Sequence, residues 1–364
     1  MPESRLRIDQ VLPSFAARDA IGFHTLELQK LIQSQNIESK IYADEIKDEM
    51  KEFARPVKEL FKTKSDRSRY LIYQASTGSP VASKLLERTE PLLLNFHNIT
   101  PREVLGKWDP GVGIIVGAGI KQLGLFKDRI SGAISVSSFN KWCLEQEGIK
   151  ENSLVAAPFI PSYDEIRNPR RSHGLNTGSH WLFVGRIAPN KAQHDIIKAF
   201  SAYTTGWDPE ATLTLVGATS SQSYFDTLIK LIDELDLAGK VTLTGPIDSR
   251  SLENHYRKAT IFICLSDHEG FGFPIIEAMR HKLPIVAFAS TAVTETVGEA
   301  GILLSNKDPI HCAAAVAMIE NNLDLRKRLL RKSKYQTDKY SYEVSKMQNL
   351  AALRALIPQL AASE

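Results

Sequence analysis

The chain has 364 residues with 43% apolar content, too long for one typical core and suited to two domains of roughly 150 to 200 residues each. Its 45 basic and 42 acidic residues leave a formal charge of only +3, and no aromatic-basic RNA-binding motif occurs, so nucleic acid is not an expected partner. Cys143, Cys264 and Cys312 are odd in number, far apart and without Cys-x-x-Cys spacing, which argues against a disulfide framework or structural zinc and for reduced thiols in the cytoplasm.

Residues 1–30 carry charges throughout, and no apolar run approaches the roughly 18 residues of a membrane span, so only peripheral contact with a membrane's inner face is open to the chain. Residues 6–12 read as a first strand, and 22–35 as a helix with Leu26, Leu28, Leu31 and Ile32 at helical spacing. The loop 13–22 between them follows the first strand, where doubly wound domains dock ligands. A second strand is expected at 37–42. The charged stretch 44–69 reads as a solvated surface helix or, over 51–69, as a basic amphipathic helix on anionic lipid, with Phe53, Leu60 and Phe61 as its apolar contacts. A strand at 69–76 and a helix after Gly78 follow. Residues 91–98 form a leucine-rich strand that delivers His97 and Asn98 to its carboxyl end.

Gly117-Ala-Gly119 resembles the start of a dinucleotide fingerprint but lacks the third glycine and a later acidic residue, so 113–122 is read as helix. Residues 134–138 are the next strand, Ser137, Ser138 and Asn140 cap the helix with Trp142 and Leu144, and 154–161 closes this half as its last strand. The polar, turn-rich segment 167–178 is the linker, separating an amino-terminal domain at 1–166 from a carboxyl-terminal one at 179–335. That second domain begins with strand 181–184, the loop Gly185-Arg186 to Lys191 and a helix at 194–203. Strands at 212–217 and 241–247 alternate with helices at 224–235 and 251–258. Strand 260–265 leads into the most informative turn, then come strand 283–288, a turn at 291–295 and three closing helices at 308–319, 323–332 and 341–356.

In Cys264-Leu-Ser-Asp-His-Glu-Gly-Phe-Gly-Phe-Pro-Ile-Ile-Glu-Ala-Met279 a buried strand stops at Ser266 and Asp267, and a turn must follow. Gly270 and Gly272 supply backbone freedom, and Pro274 sits where the first helical residue tolerates a missing N–H. The unpaired N–H groups of a helix start, approached past glycines without side chains, make an anion site at the carboxyl edge of a parallel sheet. Glu269 in the turn and Glu277 one turn into the helix flank it, so both reach hydroxyls of one ligand whose phosphates rest on the backbone. Phosphate with hydroxyls at each end describes a sugar nucleotide.

The pair Glu269 and Glu277, with seven residues between them inside Glu-Gly-Phe-Gly-Phe-Pro-Ile-Ile-Glu-Ala-Met, resembles the Glu-x7-Glu signature of the group 1 (family 4) retaining glycosyltransferases of the GT-B type. The resemblance extends over almost the whole chain and implies an α/β fold of two Rossmann-like, doubly wound domains facing a cleft, with the last helix, 341–356, packed back on the amino-terminal domain. It assigns Arg186 and Lys191 to the donor diphosphate, along with Gly185 and the helix start at Gly270, Phe271, Gly272 and Phe273. The turn at Ile247 resembles the place where the nucleotide base is held, and His97 the histidine beside the donor sugar. Glu269 then holds sugar hydroxyls and Glu277 the ribose.

The chain departs from the pattern in two places. Only Gly22 stands where a glycine pair usually admits donor and acceptor, with Asp19 nearby either orienting an acceptor hydroxyl or capping the helix, and Lys282 replaces a common glycine before Pro284. The implied reaction is metal-independent hexosyl transfer, with no cofactor, from a GDP-mannose-like or UDP-sugar to a hydroxyl of a glycan, lipid or small-molecule acceptor in bacterial polysaccharide or glycoconjugate synthesis. Alternatives are a nucleotide-sugar epimerase of the same fold, a non-catalytic sugar-nucleotide-binding protein, and a dinucleotide oxidoreductase that the Gly117 fingerprint fails to support. Base, sugar, linkage, acceptor and oligomeric state are not encoded in these motifs.

Overall fold

The computed structural model describes residues 6–16, 19–160 and 178–361. They form two compact units, each built on one wholly parallel sheet. The expected linker at 167–178 lies, except for Gly178, outside the described residues.

The first sheet contains β1 (Arg7–Phe15), β2 (Ile41–Ile46), β3 (Ala54–Pro56), β4 (Arg69–Ala75), β5 (Leu92–Phe96), β6 (Gly132–Ser135) and β7 (Ser153–Val155), in spatial order β3-β2-β1-β4-β5-β6-β7. Every residue of β4 and β5 is buried, as expected for central strands covered on both faces by crossover helices. The chain order reverses between β1 and β4. That switch point is where doubly wound sheets open a crevice at their carboxyl edge.

Several expectations are corrected here. Strand β1 runs through Pro13 to Phe15, which shortens the loop before the helix Ala20–Gln33. The second strand begins at Ile41, where parallel pairing with Gln10 starts, and not at residue 37. Residues 44–69 contain no long helix: a short 3-10 turn at Asp48–Met50, the edge strand β3 and the helix Val57–Lys62 divide the segment. The basic amphipathic face expected over 51–69 is therefore absent, because pairing of β3 with β2 interrupts it. Strand β7 stops at Val155, short of the expected 161.

The chain returns to this unit at its end. Ala352, Leu353, Leu356, Ile357 and Leu360 join Ile8, Ile72, Leu93 and Phe159 in one buried cluster. Gln348 Oε1 accepts from the Ala157 N–H at 2.9 Å, and Asn349 Nδ2 donates to the Ala157 carbonyl at 2.9 Å, so the helix Tyr342–Leu356 is keyed by hydrogen bonds as well as apolar contact.

The second sheet has β8 (His180–Val184), β9 (Thr212–Val216), β10 (Val241–Leu243), β11 (Ile261–Cys264), β12 (Ile285–Phe288) and β13 (Gly301–Leu304), in order β10-β9-β8-β11-β12-β13. Strand β13 was not expected: only half-buried and only four residues long, it carries little apolar signal. The chain reversal falls between β8 and β11, so the loops after these two strands are neighbours. Residues 104–110 group with this unit, and Trp108 lies edge-on to Tyr224 at 4.9 Å. Among the described residues, no helix is long and apolar enough to cross a membrane.

Candidate functional site

The switch point of the second sheet assembles most of the expected residues. Gly217 and Gly185 bring the loops after β9 and β8 into contact: a Cβ on Gly217, at φ +148°, would lie 2.0 Å from the Gly185 carbonyl oxygen. The chain then passes Arg186 and turns at Pro189–Lys191. Asn190 is buried and locks this turn to the loop after β11. Its carbonyl accepts from the N–H groups of Asp267 at 2.9 Å and His268 at 3.3 Å, while its Nδ2 donates to the His268 carbonyl at 3.3 Å.

This clamp delivers Lys191 to Glu269. Lys191 Nζ lies 2.6 Å from Glu269 Oε1, with side-chain exposures of 14% and 13%. Ser266, wholly buried at the end of the strand segment, donates its hydroxyl to the same oxygen at 2.9 Å. Both bonds fall on Oε1, and Oε2 makes none among the described residues. A carboxylate anchored through one oxygen presents the other as an acceptor of fixed direction. The backbone N–H of Glu269 donates to Thr291 Oγ1 at 2.9 Å, and Thr291 adopts φ +42°. A β-branched residue in that region is strained, and such strain collects at ligand sites.

The turn ends at Gly272, φ +94°, which caps the helix Phe273–Arg280 with Pro274 in its first turn. The Phe271 carbonyl accepts from Thr296 Oγ1 at 2.5 Å, and the rings of Phe271 and Phe273 meet edge-on at 5.3 Å. Among the described residues the N–H groups of Gly272 and Phe273 make no backbone hydrogen bond, so donors remain at the positive end of the helix. Further along, Glu277 is buried and accepts from the Tyr256 hydroxyl at 2.8 Å through Oε2. Tyr256 is itself stacked on His281, with ring centroids 4.8 Å apart.

Arg186 is exposed, and its side chain makes no ion pair among the described residues; its carbonyl accepts from Gln193 Nε2 at 2.8 Å. Ile247, half-buried, stands in the loop after β10 on the same sheet edge. Burial, opposed by Glu269, holds the His268 imidazole down at about 4, so it is neutral near pH 7. Burial and the nearby Glu269 push the Cys264 thiol up to about 11, which leaves it a poor nucleophile. Among the described residues no cluster of three or more His, Cys, Asp or Glu side chains is placed to hold a metal ion.

In the amino-terminal unit His97 follows β5 and is partly exposed. Its Nε2 lies 2.6 Å from Gln74 Oε1, and its ring meets that of His24 edge-on at 5.2 Å. Burial and the adjacent His24 lower its pKa well below the ordinary value, so this imidazole too is neutral. Gly22 has a packing reason: a Cβ there would lie 2.3 Å from the Ala16 carbonyl oxygen. Asp19 occupies the N-cap position of the helix Ala20–Gln33, but its side chain makes no capping hydrogen bond, so capping is not its role. Lys282 adopts φ +55°, the left-handed conformation that a glycine adopts without steric cost, and so preserves the turn.

Sequence reasoning missed Ser266, Asn190 and Tyr256, which orient the glutamates and the loop. Asn190 stands inside the 185–191 loop and Ser266 at the strand end, and their positions were the available signal. Tyr256 had none, because its contact with Glu277 bridges 21 residues.

Residues 166–336 match the family model described as Glycosyl transferases group 1. The chain is 32% identical over 169 residues to the D-inositol 3-phosphate glycosyltransferase of Thermomonospora curvata, covering 44% of this chain and 39% of that protein. It is 25% identical over 175 residues to the O-antigen chain mannosyltransferase B of Escherichia coli, covering 48% and 45% respectively. Each match thus spans less than half of the curated relative. Among solved structures, Anabaena HepE in complex with UDP-glucose superposes with a TM-score of 0.74 at 16% identity, covering 96% of this chain and 99% of that one. The two parallel-sheet units have the fold of the GT-B glycosyltransferases, and the group 1 match takes in both the 185–191 loop and the turn from Glu269 to Glu277.

Proposed function

We propose that the protein is a retaining glycosyltransferase that moves a hexose from a nucleoside-diphosphate sugar to a hydroxyl acceptor without a metal ion. The observation that carries this reading is the anchoring of Glu269: Ser266 and Lys191 hold one oxygen and leave the other without a partner among the described residues, just before a helix start. Glu269 Oε2 accepts from hydroxyls of the donor sugar. Glu277, steadied by Tyr256, accepts from the ribose.

Breaking the anomeric bond leaves negative charge on the diphosphate, so groups that bind the departing phosphate more tightly than the intact donor accelerate the step. Arg186, Lys191 and the N–H groups at the start of the helix Phe273–Arg280 supply that stabilisation. Lys191 moves from Glu269 to phosphate as the donor enters. Among the described residues no side chain is positioned as an evident nucleophile, which agrees with attack by the acceptor hydroxyl on the face that the phosphate leaves. A GDP-mannose-like donor or a UDP-sugar suits the names of the relatives, one a mannosyltransferase and one solved with UDP-glucose.

Calorimetry with GDP-, UDP- and ADP-sugars identifies the base and sugar. Transfer to added acceptors in the presence of EDTA then tests the reaction. Binding of one nucleotide class with EDTA-resistant transfer is the expected result. A strict need for magnesium or manganese contradicts the proposed phosphate site, and a new sugar nucleotide formed without acceptor identifies an epimerase instead.

A further inference from the structure

The switch point of the first sheet holds a line of buried side-chain amides that the mechanism above does not use. Gln10 on β1 and Gln74 on β4 are wholly buried, as is Thr25 on the helix Ala20–Gln33. Gln10 Nε2 lies 2.9 Å from the Thr25 carbonyl oxygen, Gln74 Nε2 lies 2.7 Å from Gln10 Oε1, and Gln74 Oε1 lies 2.6 Å from His97 Nε2.

A line of amides reads equally well in either direction until one end is fixed, and a peptide carbonyl only accepts. The Thr25 carbonyl therefore requires the NH2 of Gln10, which turns the Gln10 oxygen toward Gln74. The Gln74 NH2 then faces Gln10 and its oxygen faces His97. With the ring neutral, the proton must sit on Nε2, and Nδ1 carries a lone pair. Nδ1 has no hydrogen-bond partner among the described residues and is not among the buried, unpaired atoms.

His24 obeys the same logic and takes the same form. The Phe159 N–H, an obligate donor, meets its Nδ1 at 3.3 Å, so its proton lies on Nε2, and the Asn95 amide 2.8 Å away must turn its oxygen, otherwise buried without a partner, toward that proton. Each ring is thus set by a backbone group, and His24, the titratable neighbour of His97, brings no charge to it.

We propose that Gln74 and Gln10 are positioning residues that hold His97 in the Nε2–H form, so that Nδ1 accepts a hydrogen bond from a ligand hydroxyl. The identification of that hydroxyl as one of a sugar rests on the function proposed above; the relay itself does not. Without it, neither tautomer is enforced, and rotation of the ring would present a donor where an acceptor is required.

The test is nitrogen-15 NMR of histidine-labelled full-length protein, with the His97 signals assigned by comparison with His97→Gln. Wild type should show protonated Nε2 and unprotonated Nδ1 with no exchange between tautomers. In Gln74→Met, and in Gln10→Met one link further back, the His97 signals should shift toward a tautomeric mixture, and turnover should fall about three- to tenfold, the loss of one buried neutral hydrogen bond. A wild-type His97 protonated on Nδ1, or averaging between forms, overturns the relay even if both variants fail to fold. The predicted tautomer, lost in Gln74→Met with turnover unchanged, overturns the role of Nδ1 toward a hydroxyl. The predicted NMR result in a protein that transfers no sugar supports the relay and removes the glycosyltransferase reading.

Discussion

The ion pair between Lys191 and Glu269 yields the sharpest quantitative expectation. At 2.6 Å the gross attraction is roughly 6 kcal/mol with an effective dielectric of about 20, and desolvation of two largely buried groups offsets most of it. A net coupling of about 1.5 to 3 kcal/mol remains. Lys191→Met leaves Glu269 with only the Ser266 hydrogen bond and should destabilise the protein by about 2 to 3 kcal/mol. Glu269→Gln keeps that hydrogen bond and frees an ammonium that swings toward water, so its cost should be nearer 1 kcal/mol. The double variant should cost less than the sum of the two, and the shortfall is the coupling.

Urea denaturation of the four proteins measures the cycle. Repeating it with saturating nucleoside diphosphate tests the exchange of partners. If Lys191 moves to phosphate, ligand should stabilise wild type more than Lys191→Met, and turnover in Lys191→Met should drop ten- to a thousandfold on the order of one lost transition-state contact. A coupling below about 0.5 kcal/mol would refute the ion pair, and wild-type turnover in Lys191→Met would remove Lys191 from the phosphate site.

Glu277→Ala should weaken binding of the bare nucleoside diphosphate by roughly 1 to 3 kcal/mol, and Tyr256→Phe, which releases Oε2, by about 1 kcal/mol; calorimetry showing wild-type affinity in both would mean that Glu277 only packs its helix. Lys282→Gly relieves a left-handed lysine and should raise stability by up to about 1 kcal/mol, and a lower melting temperature would contradict that account. Burial holds His24 at about 3 and His268 at about 4, both below the unfolded value near 6.5. In acid the unfolded chain binds protons that the folded chain does not. Stability complete above about pH 6.5 should therefore fall toward pH 4 for His268 and pH 3 for His24, by roughly 2 kcal/mol each at pH 5. Stability curves at pH 7 and pH 5 check this, and His24→Gln should flatten the slope by its share.

Alternating apolar strands and helices determined the doubly wound class, because a crossover helix between parallel strands leaves a period in the chain that local reading detects. The turn from Glu269 to the helix at Phe273 was legible for a related reason. Strand end, Gly272 and Pro274 follow one another along one short stretch of chain, and their backbone requirements are local. Segments whose fate depends on a distant partner were not legible. Residues 44–69 have helical composition, but pairing with β2 draws Ala54–Pro56 into the sheet. Strand β13 exists because β12 offers it an edge. At the site the sequence supplied Lys191 and Glu269 but not their contact, which arises because the reversal of strand order sets β8 beside β11 and the buried Asn190 locks their loops together. The direction of the His97 ring was further still from the sequence. It depends on a carbonyl on the helix Ala20–Gln33, read through glutamines on two neighbouring strands, and only the folded sheet brings those three segments within hydrogen-bonding distance.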